Sequence, residues 1–227
     1  MTSTRTPSTV VAAALLFDMD GTLVDSTAVV ERTWRRFADQ HRLDLGRILA
    51  VSHGRRTEET VAEFAPAGVD VAAEARRIVA HEVADTEGIV AVPGAAELLA
   101  SLPTGGWALV TSAGRALAEA RMAAAGLPVP SVVVSADDVT TGKPSPEGYL
   151  TAAGRLGVAP QQAVVFEDAE AGLLAACASG ARTVVVGGCA APVTSGLERV
   201  ADLRDVRIEP VAGRPKPTYH LTLHRSI

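Results

Sequence analysis

Short apolar runs recur along this chain, and most are followed by an Ala-rich segment of helical spacing that closes on glycine. The runs are VVAAALLF (10–17), WALVTS (107–112), SVVVS (131–135), AVVFED (163–168) and ARTVVVG (181–187). Between them lie GRALAEARMAAAG (114–126), SPEGYLTAAGRLG (145–157) and AEAGLLAACASG (169–180). A strand apolar at successive positions is one covered on both faces. A glycine just past the last helical turn is a common stop. Strand, helix, strand in this order predicts an α/β fold whose parallel sheet is joined by right-handed crossovers.

Residues 26–92 break the rhythm. They hold no strand-like run and carry an amphipathic, Arg- and Glu-rich helical pattern. In STAVVERTWRRFADQH the expected N-cap is Ser26, and Trp34 and Phe37 fall three apart on one face. TEETVAEFA and VAAEARRIVAHEVAD continue in the same style, and Pro93-Gly94 suits a hinge where the α/β pattern resumes. The reading is a helical insertion after the first strand. The Pro-interrupted end, AGRPKPTYHLTLHRSI, reads as a loose tail or an edge addition.

Composition narrows the function classes. The chain has 227 residues, 48% hydrophobic and 21% charged, which is globular and not disordered. Net charge is −5, and the arginines come in scattered pairs (35–36, 55–56, 76–77) with no basic run, which argues against nucleic acid. The longest apolar stretch is too short to span a bilayer, so no membrane partner is expected. It also lacks the marks of a signal peptide. Cys177 and Cys189 have no metal spacing and read as buried thiols in a reducing cytoplasm.

Functional side chains of an open α/β sheet gather at the carboxyl ends of its strands. Here those ends give Asp18 and Asp20, then Thr111 and Ser112, then Lys143 just past the third, then Glu167 and Asp168. Clustered carboxylates repel unless they are protonated or hold a cation. With oxygen donors only, a hard cation is expected, Mg²⁺ first. The ammonium and hydroxyls suit an anion touching that cation, and phosphate fits. Lys143 is one of two lysines in a chain with 19 arginines, a selective use of a point charge. Side chains two apart in extended chain share a side, so Asp18 and Asp20 can divide attack on phosphorus and proton exchange between them. Gly21 permits the tight turn that follows.

DMDGTLVDS, TSAG, GKPSPEGYL and FEDAEAG resemble, in order, the four motifs of the haloacid dehalogenase superfamily. The resemblance extends to about residue 190 and implies a Rossmann-like core, residues 1–23 and 93–227, with a helical cap at 24–92. It implies that Asp18 is the nucleophile, forming an aspartyl-phosphate, and Asp20 the general acid and then base. Thr111, Ser112 and Lys143 would bind the phosphoryl group. Mg²⁺ would lie on Asp18, Asp168 and the Asp20 backbone carbonyl, with Glu167 acting through water.

Within that superfamily Asp20 argues against a dehalogenase, which has no use for it. Residues 26–92 contain no lysine, which speaks against phosphonate cleavage and a mutase, since both tend to use a cap lysine. A phosphatase remains, and the chain is similar to phosphatases of glycerol phosphate and 2-deoxyglucose 6-phosphate. The expected substrate is a small sugar or polyol phosphate, selected by the cap loop His53, Gly54, Arg55, Arg56 and Thr57. The alternatives are a phosphomutase or other phosphoryl transferase, or a non-catalytic phosphate-binding module. Monomer and homodimer, and Mg²⁺ and Mn²⁺, stay open. His41 and His81 read as surface residues, and His220 and His224 as unpartnered.

Overall fold

The computed structural model describes residues 7–103, 105–211 and 218–224. The first apolar run is two strands, not one. β1 (Ser8–Ala12) alternates in and out, with Val11 60% exposed, whereas β2 (Ala14–Phe17) is buried throughout. A bend at Ala13 separates them, and the Ala13 N–H donates to the Gln162 carbonyl at 2.7 Å. One half has the period of a sheet covered on one face, and the other the continuous burial of a central parallel strand.

After β2 come β3 (Val24–Asp25), then helices α1 (Thr27–His41), α2 (Leu45–Ser52), α3 (Thr57–Phe64) and α4 (Val71–Ala84). The chain returns through β4 (Val90–Ala91), α5 (Ala95–Ala100), β5 (Trp107–Val110), α6 (Arg115–Ala124), β6 (Val132–Val134) and α7 (Glu147–Arg155). It finishes with β7 (Ala163–Glu167), α8 (Glu170–Ser179), β8 (Arg182–Val186), β9 (Glu198–Val200), β10 (Val206–Pro210) and β11 (Tyr219–Leu223).

The main sheet has order β6-β5-β2-β7-β8-β9, and all its pairs are parallel. Side-chain alternation divides two buried clusters between its faces. Leu15, Phe17, Leu109 and Phe166 point to one face with α5 and α6, and Phe17 stacks on Phe166 at 4.9 Å between ring centres. Leu16, Ala108, Val110 and Val165 point to the other, against Tyr149, Ala152 and Ala153 of α7 and Ala175 and Ala176 of α8. Small alanines let both helices approach closely, which explains the Ala-rich sequence of these segments.

The end of the chain forms more than an edge. β11 is the central strand of an antiparallel sheet, β1-β11-β10, whose Leu221 and Leu223 join the first cluster. Residues 212–217 and 225–227 of the expected tail lie outside the described residues.

Helices α1–α4 have a separate core: Trp34, Phe37, Ala38, Ile48, Val61, Ala75 and Ile78. Trp34 and Phe37 meet edge to face at 5.7 Å, the pairing their spacing predicts. The two-residue antiparallel pair β3-β4 joins this layer to the rest. Ser26 is not a side-chain cap for α1; its hydroxyl donates to Asp20 Oδ1 at 2.6 Å instead. His41 is not a surface residue: its ring lies against Phe37 at 4.9 Å and beside Glu74 at 3.2 Å. His81, His220 and His224 are exposed. The expectation of two buried thiols also fails, because Cys177 is exposed and Cys189 half-buried.

Candidate active site

β2 lies between β5 and β7, and the strand order reverses there: the chain builds outward through β5 and β6, then crosses back to β7, which opens a crevice at the carboxyl end of β2. Asp18 continues the ladder by donating its N–H to the Phe166 carbonyl at 3.0 Å, which fixes the backbone of a 5%-exposed carboxylate. The chain then turns sharply. Leu23 and Val24 both donate to the Met19 carbonyl at 2.9 Å, and Gly21 takes φ +87°. Any side chain at Gly21 would strike the Asp168 carboxylate, so this backbone passes directly over it.

Lys143 reaches the same point from the loop after β6. Its ammonium donates to Asp18 Oδ1, to Glu167 Oε1 at 2.6 Å, and to the Val110 carbonyl at 3.4 Å. Glu167 is fully buried, and both its oxygens are engaged. Oε1 accepts from Lys143 and, at 3.1 Å, from the Tyr149 hydroxyl; Oε2 accepts from the Asp168 and Ala169 N–H groups at 2.8 and 2.9 Å. Its side chain therefore anchors the start of α8 and the ammonium together. Gly172 makes room, since a Cβ there would run into that carboxylate.

The electrostatics are lopsided. Ligand atoms of Asp18, Glu167 and Asp168 lie within 4.8 Å of one another, with one ammonium among them. Burial, then the neighbouring Glu167 charge, pushes the Asp18 carboxyl well above its usual range. Burial opposes the Lys143 charge, but Asp18 and Glu167 outweigh it and hold the ammonium well above its ordinary value. Carboxylates outnumber the ammonium in this cluster, and an oxygen-donor set of this kind suits a hard cation.

Other expected residues fall into place unevenly. Thr111 is buried in the cleft wall, and its Oγ1 accepts from the Ala113 N–H at 3.1 Å. The Ser112 hydroxyl crosses to the helical layer and donates to the Gly54 carbonyl at 2.8 Å. His53 Nε2 lies 2.7 Å from Asp168 Oδ2, a contact that raises the imidazole to about 9. Arg55 pairs with Glu63 at 2.7 Å and lines the cleft beside Thr57. Arg56 does not line it. Its Nη2 donates to the Val139 carbonyl at 2.8 Å and its Nη1 to that of Thr140 at 3.3 Å, on the loop after β6.

Two cleft residues were missed from the sequence. Arg121 of α6 donates from Nη1 to Asp20 Oδ2 at 2.8 Å and from Nη2 to Glu82 Oε1 of α4 at 2.7 Å. A signal existed: Arg121 falls on the buried stripe of Leu117, Ala118 and Met122, and Glu82 on that of Ala75 and Ile78. A charge inside an apolar stripe marks a paired or functional group.

The sequence pattern of haloacid dehalogenase-like hydrolases matches residues 12–180, three-quarters of the chain. This chain belongs to that family. It is 46% identical over 175 residues to hexitol phosphatase A of Escherichia coli (strain K12), covering 75% of this chain and 81% of that protein. Glycerol-1-phosphate phosphohydrolase 2 of Saccharomyces cerevisiae (strain ATCC 204508 / S288c) is 36% identical over 195 residues, 80% of this chain and 77% of its own length. Among solved structures, CbbY from Rhodobacter sphaeroides in complex with phosphate superimposes with a TM-score of 0.70 at 28% identity, over 85% of this chain and 95% of that one.

Proposed function

We propose that the chain is a phosphomonoesterase acting on a small sugar or polyol phosphate. The observation that carries this is the convergence of Asp18, Glu167 and Asp168 at the ends of two adjacent parallel strands, with Lys143 reaching them from the loop after β6. Relatives named for hydrolysis of hexitol and glycerol phosphates support the substrate class. The cleft at these strand ends is lined from both layers, by Asp18, Asp20 and Thr111 on one side and His53, Arg55 and Trp34 on the other.

Asp18 attacks phosphorus through a carboxylate oxygen, and the bond from phosphorus to the leaving oxygen breaks. Asp20 gives its proton to that oxygen, and the alcohol departs. Asp20 then takes a proton from water, whose oxygen attacks phosphorus and releases Asp18 and inorganic phosphate. Lys143 holds the phosphoryl oxygens, with the Thr111 hydroxyl beside it. Glu167 acts as an anchor for Lys143 and for the backbone that presents Asp168.

Asp18, Asp168 and the backbone carbonyl of Asp20 would hold Mg²⁺, the excess of carboxylate charge and the close pass of Gly21 over Asp168 being what fits it. Bound there, the cation would neutralise charge on the phosphoryl oxygens. The helical layer of α1–α4 acts as a cap that excludes water, held to the core by Ser112–Gly54, Arg56, His53–Asp168 and Glu82–Arg121. His53, Gly54, Arg55 and Thr57 face the leaving group. We place the enzyme in a reducing compartment, the cytoplasm, on its two unpaired thiols.

Phosphate release from glycerol phosphates, hexitol and hexose phosphates, 2-deoxyglucose 6-phosphate, phosphoglycolate and nucleotides tests this, with Mg²⁺ or chelator. Release confined to Mg²⁺ and highest on sugar or polyol esters is expected. Transfer of the phosphoryl group to a second sugar without release of phosphate would make it a transferase instead.

A further inference from the structure

Arg121 and Glu82 stand in the cleft wall beyond the residues assigned to attack and phosphoryl binding, with Arg121 held against Asp20. Both are nearly fully buried, 4% and 5% exposed, and they come from opposite sides, α6 of the core and α4 of the helical layer. The cleft they line mixes apolar side chains (Val30, Trp34 and Leu117) with the polar groups of the site. Placing a guanidinium between two carboxylates here has a desolvation cost that pairing only partly offsets. Apolar side chains of similar volume would hold α4 to α6 as well, so stability gives no reason for the pair.

The guanidinium is also incomplete. Its two Nη atoms serve Asp20 and Glu82, but its Nε–H is buried and meets no acceptor among the described residues. A buried donor without a partner is costly, and an oxygen that arrives with a ligand removes that cost. The charges here are already balanced or negative, with Asp20 and Glu82 around one guanidinium. A second anionic group on the ligand would meet Glu82, and an alkyl chain would leave the donor unmet. A hydroxyl both accepts and donates, which matches a guanidinium beside a carboxylate.

We propose that Arg121 and Glu82 form a subsite for hydroxyl groups of the leaving alcohol, and so select hydroxylated esters over alkyl or anionic ones. This rests on the phosphatase reading and gives its leaving group a recognition site. Arg121 also binds Asp20 and Glu82 belongs to the helical layer, so the subsite is complete only while α4 lies against α6.

Matched esters test it: glycerol 1-phosphate against propyl phosphate, with phosphoglycolate as the anionic member. The wild-type protein is expected to prefer glycerol 1-phosphate over propyl phosphate by about a hundredfold in kcat/KM. Glu82→Gln and Arg121→Lys should each reduce that ratio by about tenfold, with circular dichroism confirming the fold. The same ratio is read without turnover, as the Kd for each ester on Asp18→Asn protein with and without Glu82→Gln. If both variants slow the two esters by one common factor, or Glu82→Gln leaves the ratio of the two Kd values unchanged, the pair is a strut and the proposal falls. A preference for phosphoglycolate would overturn it as well. Should the wild-type protein hydrolyse no ester, the phosphatase reading fails on that result, and the binding ratio still decides the subsite.

Discussion

Lys143 and Arg121 are both buried cations, each held between two carboxylates, yet the two arrangements differ in where the carboxylates come from. Asp18 and Glu167 both end strands of one sheet, so the cage around Lys143 is set by the ladder that builds the core. Asp20 and Glu82 come from the core and from the helical layer, so the cage around Arg121 exists only when those parts meet. A charge fixed by one sheet serves chemistry common to a family. A charge shared across two layers can answer to the leaving group, and through Asp20 it also reaches the group proposed to move the proton.

Breaking the first cage should have the largest effect. Lys143→Met leaves Asp18 and the fully buried Glu167 without their cation, and we expect a loss of about 3–5 kcal/mol in urea unfolding. Phosphate release should fall by roughly a thousandfold, since the phosphoryl group loses its ammonium. Gly172→Ala attacks the same cage indirectly, by pushing a methyl into the Glu167 carboxylate. Its expected destabilisation is about 2 kcal/mol, and it should slow turnover although residue 172 meets no substrate.

The second cage should tolerate more. Arg121→Met strands Glu82 but leaves Asp20, 21% exposed at its side chain, in reach of water and Ser26. We expect a loss of about 1–3 kcal/mol, which the double variant Arg121→Met/Glu82→Leu recovers largely. No such recovery is expected from Lys143→Met/Glu167→Leu, because Glu167 also accepts two backbone N–H groups at the start of α8. Urea melts of the four proteins separate the cases.

The smallest effect concerns the loop after β6, whose carbonyls Arg56 holds from across the cleft. Asp138 accepts from the Ser135 N–H and hydroxyl and from Arg155, which hold its carboxyl down at about 2. A carboxyl depressed below its unfolded value stabilises the fold above that value and loses the contribution as pH falls through the folded one. Wild type should therefore exceed Asp138→Asn by roughly 1–2 kcal/mol at pH 6, and the gap should shrink below about pH 4. A gap constant with pH would show that the ionised carboxylate is not what holds the loop.

The sequence conveyed the first cage better than the second for a physical reason. Strand ends of a parallel sheet are adjacent whatever the loops do, so Asp18, Glu167 and Asp168 converge once the strands are recognised, and Lys143 joins them from the loop after β6. Nothing of that kind predicts that α4 meets α6. Arg121 and Glu82 were visible only as charges on apolar stripes, a signal that does not name the partner. The strand boundary inside VVAAALLF was hidden for a similar reason. Its two halves belong to different sheets, and only pairing with β11, distant in sequence, separates them. Arg56 illustrates a third limit: a loop arginine fits substrate contact and backbone docking equally well until the facing carbonyls are known.

On this mechanism Asp18 takes the phosphoryl group. Borohydride reduces an acyl phosphate on aspartate to homoserine, and peptide mass spectrometry locates the change. With Mg²⁺ and a polyol phosphate turning over, the mass of the peptide carrying Asp18 should shift, and omission of either component should abolish the shift. Turnover with no modification at Asp18, or with modification at another carboxylate, would contradict the account.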